Sequence, residues 1–143
     1  MHDWATQAAD RLSDAGYRRG GARAAVIGLL DDQGCALSAV EIEARLAEGG
    51  ERKVARASVY RILEELEGLG LVTRLDLGGS LARFEPVRSG GHHHHMICDD
   101  CGDVFPFEDP GLERSIERVS RNVAFTVATH DVVLHGRCGD CAR

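Results

Sequence analysis

The side chains with the most chemistry in this chain are four cysteines in two pairs, Cys98-x-x-Cys101 and Cys138-x-x-Cys141. Thiolates at this spacing fit one tetrahedral zinc: each short loop supplies two sulfurs, and two loops close the coordination sphere. Just ahead of the first pair runs His92-His93-His94-His95, and His130 precedes the second pair. In an extended strand successive side chains point to opposite faces. His92 and His94 then share one face, and His93 and His95 the other, so one strand can feed two metal sites. Each site needs further donors, and Glu85, Asp103, Glu108, Glu113 and His130 are the candidates. Mixed nitrogen and oxygen ligation suits Zn²⁺, Fe²⁺, Mn²⁺ or Co²⁺ without choosing among them. The expected design is one closed structural site and another that exchanges its metal.

The same residues argue against catalysis. A catalytic zinc needs three protein ligands, an open position and a base. The sequence holds no His-Glu-x-x-His helix and no His-x-Glu paired with Pro-Cys-x-x-Cys. Cys35, with no base nearby in sequence, reads as a small buried hydrophobe. No enzyme activity is expected. No apolar run reaches the roughly 20 residues that span a bilayer, and Met1-His2-Asp3-Trp4 is neither basic nor apolar, unlike a signal peptide. The expected location is the cytoplasm, where thiols stay reduced and zinc is favoured over disulfides. The net charge of −6 divides equally about Pro86, −3 on either side. Contact with nucleic acid would therefore need a local basic surface. Arg18, Arg19 and Arg23 form one such group, and Arg52, Lys53, Arg56 and Arg61 another.

The elements that must carry these residues follow from periodicity. Helices are predicted over residues 3–15, 19–33, from Ser38 to Gly49-Gly50, and over 57–69. Ser38 and Glu41 make a capping box for the third. In the fourth, Val59, Ile62, Leu63, Leu66 and Leu69 form an inward stripe, while Ser58, Tyr60, Arg61, Glu64 and Glu65 face elsewhere. After Gly70 the period shortens, and Leu71–Leu75, Gly78-Gly79 and Leu81–Glu85 read as a β-hairpin. Short helices followed by a hairpin outline a winged helix-turn-helix, whose last helix enters the major groove. Ser58, Tyr60 and Arg61 stand at the start of that helix as its hydrogen-bonding surface. Pro86–Gly91 is rich in turn formers and reads as a hinge. Beyond it, strands are predicted at 94–97, 104–107, 125–129 and 132–136, with a helix at 112–122. This second, α/β segment has a thin core, and domains of its size lean on a metal or a partner subunit.

Taken together, Ala57-Ser-Val-Tyr-Arg-Ile-Leu63, Gly70-Leu-Val72, Phe84-Glu85, the run His-His-His-His-Met-Ile-Cys-Asp-Asp-Cys-Gly and the closing Cys-Gly-Asp-Cys resemble the ferric uptake regulator family. The resemblance runs from about Gly16 to Cys141. It implies an α+β chain with a winged-helix DNA-binding domain at 1–86 and a small α/β dimerisation and metal-binding domain at 92–143. It further implies a homodimeric, metal-dependent repressor that binds a double-stranded DNA operator of metal-homeostasis genes. By the same resemblance, Arg23, Ser58, Tyr60 and Arg61 would face DNA, and Cys98, Cys101, Cys138 and Cys141 would hold a structural Zn²⁺. His92, His94, Glu113 and His130 would form the regulatory site, loaded with Zn²⁺ or Fe²⁺ and less readily with Mn²⁺. A hinge site would match at Glu85, His93 and His95 and is incomplete, so it would use fewer ligands, borrow Cys35 or Glu108, or be weakened. Pro106 stands where an acidic ligand usually follows the first cysteine pair, and Cys35-Ala36 where the DNA-binding domain often supplies a histidine. The alternative from the residues alone is a zinc-stabilised interaction module or metal store without DNA binding.

Overall fold

The computed structural model describes residues 3–18, 20–33, 36–49, 53–76, 81–88 and 93–143. His92, Cys35, Arg19, Arg52, the Gly78-Gly79 turn and half of the predicted hinge, residues 89–91, lie outside them. The chain divides into two units, Met1–Gly91 and His92–Arg143.

In the first unit, the spacing of apolar residues decides where helices bury. α1 (Trp4–Asp14) starts at Asp3, whose carboxylate accepts from the Thr6 amide at 2.7 Å, and buries Trp4, Ala8 and Leu12 four residues apart. α2 (Gly21–Gln33) buries Val26, Ile27 and Leu30. β1 (Leu37–Ser38) leads into α3 (Ala39–Glu48). The predicted capping box is formed there: the Ser38 hydroxyl accepts from the Glu41 amide, and the Glu41 carboxylate accepts from the Ser38 amide, both at 3.1 Å. α4 (Arg56–Gly68) turns Val59, Ile62, Leu63 and Leu66 inward.

A left-handed glycine converts α4 into the wing. Gly70 has φ +72°, its amide donates to the Glu67 carbonyl, and the Leu71 amide donates to the Leu66 carbonyl, both at 2.9 Å. That pair of bonds is a Schellman ending, which needs a residue tolerant of positive φ. α1 holds the turn from outside, because the Trp4 indole N–H donates to the Leu71 carbonyl and Arg11 to the Leu69 carbonyl, each at 2.9 Å. A Cβ on Gly70 would meet nothing within 4 Å, so its cost is conformational. Gly70→Ala should lower the stability of the first unit by about 1–2 kcal/mol, read from a urea unfolding curve; an unchanged midpoint would show the turn relaxes freely.

β2 (Val72–Leu75) pairs antiparallel with β3 (Arg83–Pro86), Arg74 facing Phe84. The other edge of β3 is taken by β1, with Leu37 opposite Phe84, giving the order β1-β3-β2. The sequence predicts only the hairpin; a two-residue strand is too short to show a period. Phe84, fully buried, joins this small sheet to the helical core.

The second unit is built around β4 (His94–Cys98), flanked by antiparallel β5 (Val104–Phe107) and parallel β6 (Val133–Gly136). α5 (Pro110–Asn122) begins two residues earlier than predicted, because the Asp109 carboxylate caps it through the Gly111 amide and Pro110 suits the first helical position. Among the described residues none of α5 is buried. The strand predicted at 125–129 does not form. Ala124 turns the chain with φ 52°, and Phe125 and Val127 remain 66% and 36% exposed. Alternation marks an apolar face, but a strand also needs a hydrogen-bonding edge, and among the described residues this segment pairs with none.

Candidate metal centres and nucleic-acid interface

β4, the loop after it and the loop after β6 bring the four cysteines together. The Sγ atoms of Cys98, Cys101, Cys138 and Cys141 all lie within 4.8 Å of one another, and Cys101 and Cys138 are 3.9 Å apart. Two sulfurs on one tetrahedral zinc, at Zn–S of about 2.3 Å, stand roughly 3.8 Å apart, so the quartet fits that ion. Cys98 is buried, and its sulfur accepts from the Cys101 amide at 3.5 Å and the Cys138 amide at 3.4 Å. These two N–H groups, Cys101 first, hold its thiol down to about 6. The downward shift favours the thiolate of Cys98 over those of its neighbours as the first negative charge offered to a cation. Cys141, beside the Cys138 sulfur, is pushed up to about 12 without metal. Closing the site therefore releases protons.

A second cluster gathers on the Glu113 carboxylate. His94 Nε2 is 2.6 Å from one Glu113 oxygen, and His130 Nε2 is 2.6 Å from the other. α5 supplies the carboxylate, β4 the first ring, and the loop before β6 the second. Sequence alone does not reveal the contact that orients His94: the Val132 amide donates to its Nδ1 at 3.2 Å, which aims Nε2 at Glu113. The His94 side chain is 1% exposed, whereas Glu113 and His130 are 34% and 28% exposed. One donor is fixed in the interior and two open to solvent. Donors sharing a metal at about 2.0–2.2 Å stand further apart than a 2.6 Å hydrogen bond, so loading means spreading the donors slightly and moving the His94 proton from Nε2 to Nδ1, which gives up the bond from the Val132 amide. Three hard and borderline donors fit a divalent ion that can exchange. His92, the fourth predicted ligand, lies outside the described residues.

His93 and His95 stand together, their ring centroids 4.8 Å apart, and Pro106 is the β5 partner of His95. Glu85 lies on β3 of the first unit. The predicted DNA-facing residues of α4 are on its open side: Tyr60 is 39% exposed, Arg61 is exposed and Ser58 half-buried. The first turn of α4 has no acidic residue, and Ala55 brings no capping side chain, so its amide dipoles favour an anion there.

Arg23 is engaged differently from its neighbours in that prediction. Its Nε and Nη2 donate to the two oxygens of Glu65 at 2.8 and 2.9 Å, and Nη1 donates to the Arg18 carbonyl at 3.1 Å. The Glu65 side chain, predicted to face away from the core, is 8% exposed. The period itself contained that information, since Glu65 lies three residues after Ile62 and four before Leu69, on the margin of the apolar stripe.

Residues 14–135 match the ferric uptake regulator family. The chain belongs to that family. Relatives and solved structures agree. The ferric uptake regulation protein of Bordetella parapertussis is 39% identical over 108 residues, 75% of this chain and 76% of its own length. The crystal structure of the Vibrio cholerae ferric uptake regulator superposes with a TM-score of 0.77 at 30% identity, covering 90% of this chain and 98% of that one. The Helicobacter pylori regulator, described as having three functional metal binding sites, gives a TM-score of 0.81 at 26% identity and covers 100% of this chain and 98% of its own.

As a ferric uptake regulator family member, the chain is an α+β, metal-responsive transcription regulator with a winged helix-turn-helix in its first unit. Its cysteine quartet suits structural zinc, and its histidine and glutamate donors suit a regulatory divalent ion. Members of this family are regulators of transcription, not enzymes. Among the described residues no helix is long and apolar enough to cross a membrane.

Proposed function

We propose that this protein is a homodimeric repressor that binds a specific double-stranded DNA operator when its regulatory site holds Zn²⁺ or Fe²⁺, and that it acts in the cytoplasm on metal-homeostasis genes. The first unit is the DNA-binding domain, through Ser58, Tyr60 and Arg61 on α4. The second is the dimerisation and metal-binding domain. The observation that carries the reading is the Glu113 carboxylate bridging His94 and His130, a site separate from the cysteine quartet and open to solvent on one side. A purely structural zinc protein has no use for a second, exchangeable donor set.

An unpartnered apolar face supports the dimer. Val119, Val123, Phe125 and Val127 line one surface depression and are 59%, 69%, 66% and 36% exposed, an arrangement that a second copy would cover. Two copies then present two α4 helices to half-sites about one helical turn apart. Metal acts by population shift: it must bind the DNA-competent arrangement more tightly than the alternatives. Its positive charge also offsets the acidity of both halves near phosphate.

Selection from a random duplex pool with Zn²⁺ or Fe²⁺ present, followed by titration of the winning duplex, tests this. Arg61→Ala should weaken specific binding by about ten- to a hundredfold, the worth of a bidentate base or phosphate contact, and leave metal content untouched. If no duplex is selected at moderate salt with metal bound, the interaction-module or metal-store reading takes its place.

A further inference from the structure

Arg23 belongs to the basic group expected to face DNA, yet its guanidinium is already committed. Glu65 takes it side-on through two bonds of 2.8 and 2.9 Å. Arg18 takes the remaining nitrogen through its carbonyl, and the Tyr17 ring lies 5.2 Å from the guanidinium carbon. The two side chains are 21% and 8% exposed. A phosphate approaching Arg23 would meet the Glu65 carboxylate against the same fork, and the pair together carries no net charge to offer. What the pair does join is two pieces of surface. Glu65 lies four residues after Arg61, so it stands one turn along the same side of α4. Tyr17 and Arg18 form the turn between α1 and α2, and both are exposed.

We propose that Arg23 is a positioning residue: with Glu65 it pins the turn at Tyr17 and Arg18 to the recognition helix, so that the exposed Arg18 is held at a fixed distance from Arg61. This rests on the DNA-binding reading for its consequence, though not for its geometry. Arginine is suited to the task because the planar fork fixes direction as well as distance, which a lysine ammonium does not.

Two variants of the full-length, metal-loaded protein separate a strut from a contact, since they make opposite predictions. Glu65→Gln removes the charge that occupies Arg23. Arg23→Lys keeps the charge and removes the fork. A strut predicts that both lower affinity for the selected duplex about tenfold, the size of one lost charge-assisted bond pair, with the salt dependence unchanged. Both should also speed tryptic cleavage after Arg18, a readout that needs no DNA. The proposal is overturned if Glu65→Gln tightens binding and steepens the salt slope by about one, since Arg23 would then be a phosphate contact set free. It is equally overturned if cleavage and affinity are both unmoved, or if both variants lose the native emission of Trp4, which would make the pair a requirement of folding alone. Wild-type protein that binds no DNA would sink the repressor reading, while the cleavage rates would still judge the strut.

Discussion

Cys138→Ser should leave the cysteine quartet unable to hold zinc and the second unit unfolded. The expectation follows from how little else holds that unit together. Among its described residues Cys98 is the sole buried apolar side chain, and His94 and His95 are the other buried ones. α5 buries nothing. A unit of residues 92–143 without a core cannot offset the conformational entropy of folding by apolar burial. A zinc in the quartet would do so instead, since such ions contribute on the order of 10 kcal/mol or more in comparable small zinc domains. Cys138 is central to this, because its sulfur lies 3.9 Å from that of Cys101 and its amide donates to Cys98. Elemental analysis should find the tightly held zinc gone, and circular dichroism should show lost structure. Sedimentation should show a monomer, since the apolar face of α5 needs a folded unit behind it. A variant that still retains one zinc per chain after chelation would place the structural metal elsewhere.

Glu113→Ala is the counterpart at the other site, and its effect should be on response. Both oxygens of this one carboxylate are in use, each 2.6 Å from an imidazole. Removing it leaves His94 and His130 without a bridge and without the negative charge that makes a cation welcome. Even outer partners of a metal ligand are worth 10- to 100-fold in affinity, so losing the ligand itself should cost at least about a hundredfold. The zinc in the quartet should stay, because no quartet donor touches Glu113. DNA affinity should fall to the metal-free level and no longer rise when Zn²⁺ or Fe²⁺ is added. Competition against a chelator measures the first effect, and anisotropy with and without metal the second. Preserved metal-stimulated binding would move the sensor to His93 and His95, whose rings already stand 4.8 Å apart.

Much of this was legible in the sequence because it is written at short range. Capping boxes, paired cysteines and a stripe at Val59, Ile62, Leu63 and Leu66 involve residues within one or two turns of each other. The β2–β3 hairpin followed from the change of period after Gly70. What escaped was decided by partners far along the chain. β1 exists because β3, over 40 residues later, offers Leu37 an edge at Phe84. Residues 125–129 read as a strand because apolar alternation reports only which side is greasy, and no edge among the described residues meets them. Glu65 looked like surface beside Glu64, but the bidentate fork of Arg23 made burial of its charge tolerable. The orientation of His94 was invisible because a backbone amide, Val132, sets it.

The parallel pairing of β4 and β6 ties the two metal sites to each other. His94 and Cys98 end one strand, and His130 and Cys138 flank the other, with His95 level with Val133 and Cys98 level with Gly136. The two strands are rails with a candidate metal site as a rung at each end. Loss or gain of one residue within either rail cannot be repaired by sliding, since the shift that restores one rung misplaces the other. Point substitutions can therefore retune the sensor, as a histidine exchanged for another donor would, but the spacing between rungs is closed to insertion and deletion. The interval from the sensor to the structural zinc should be the least variable length in this chain, whatever happens to the loops on either side.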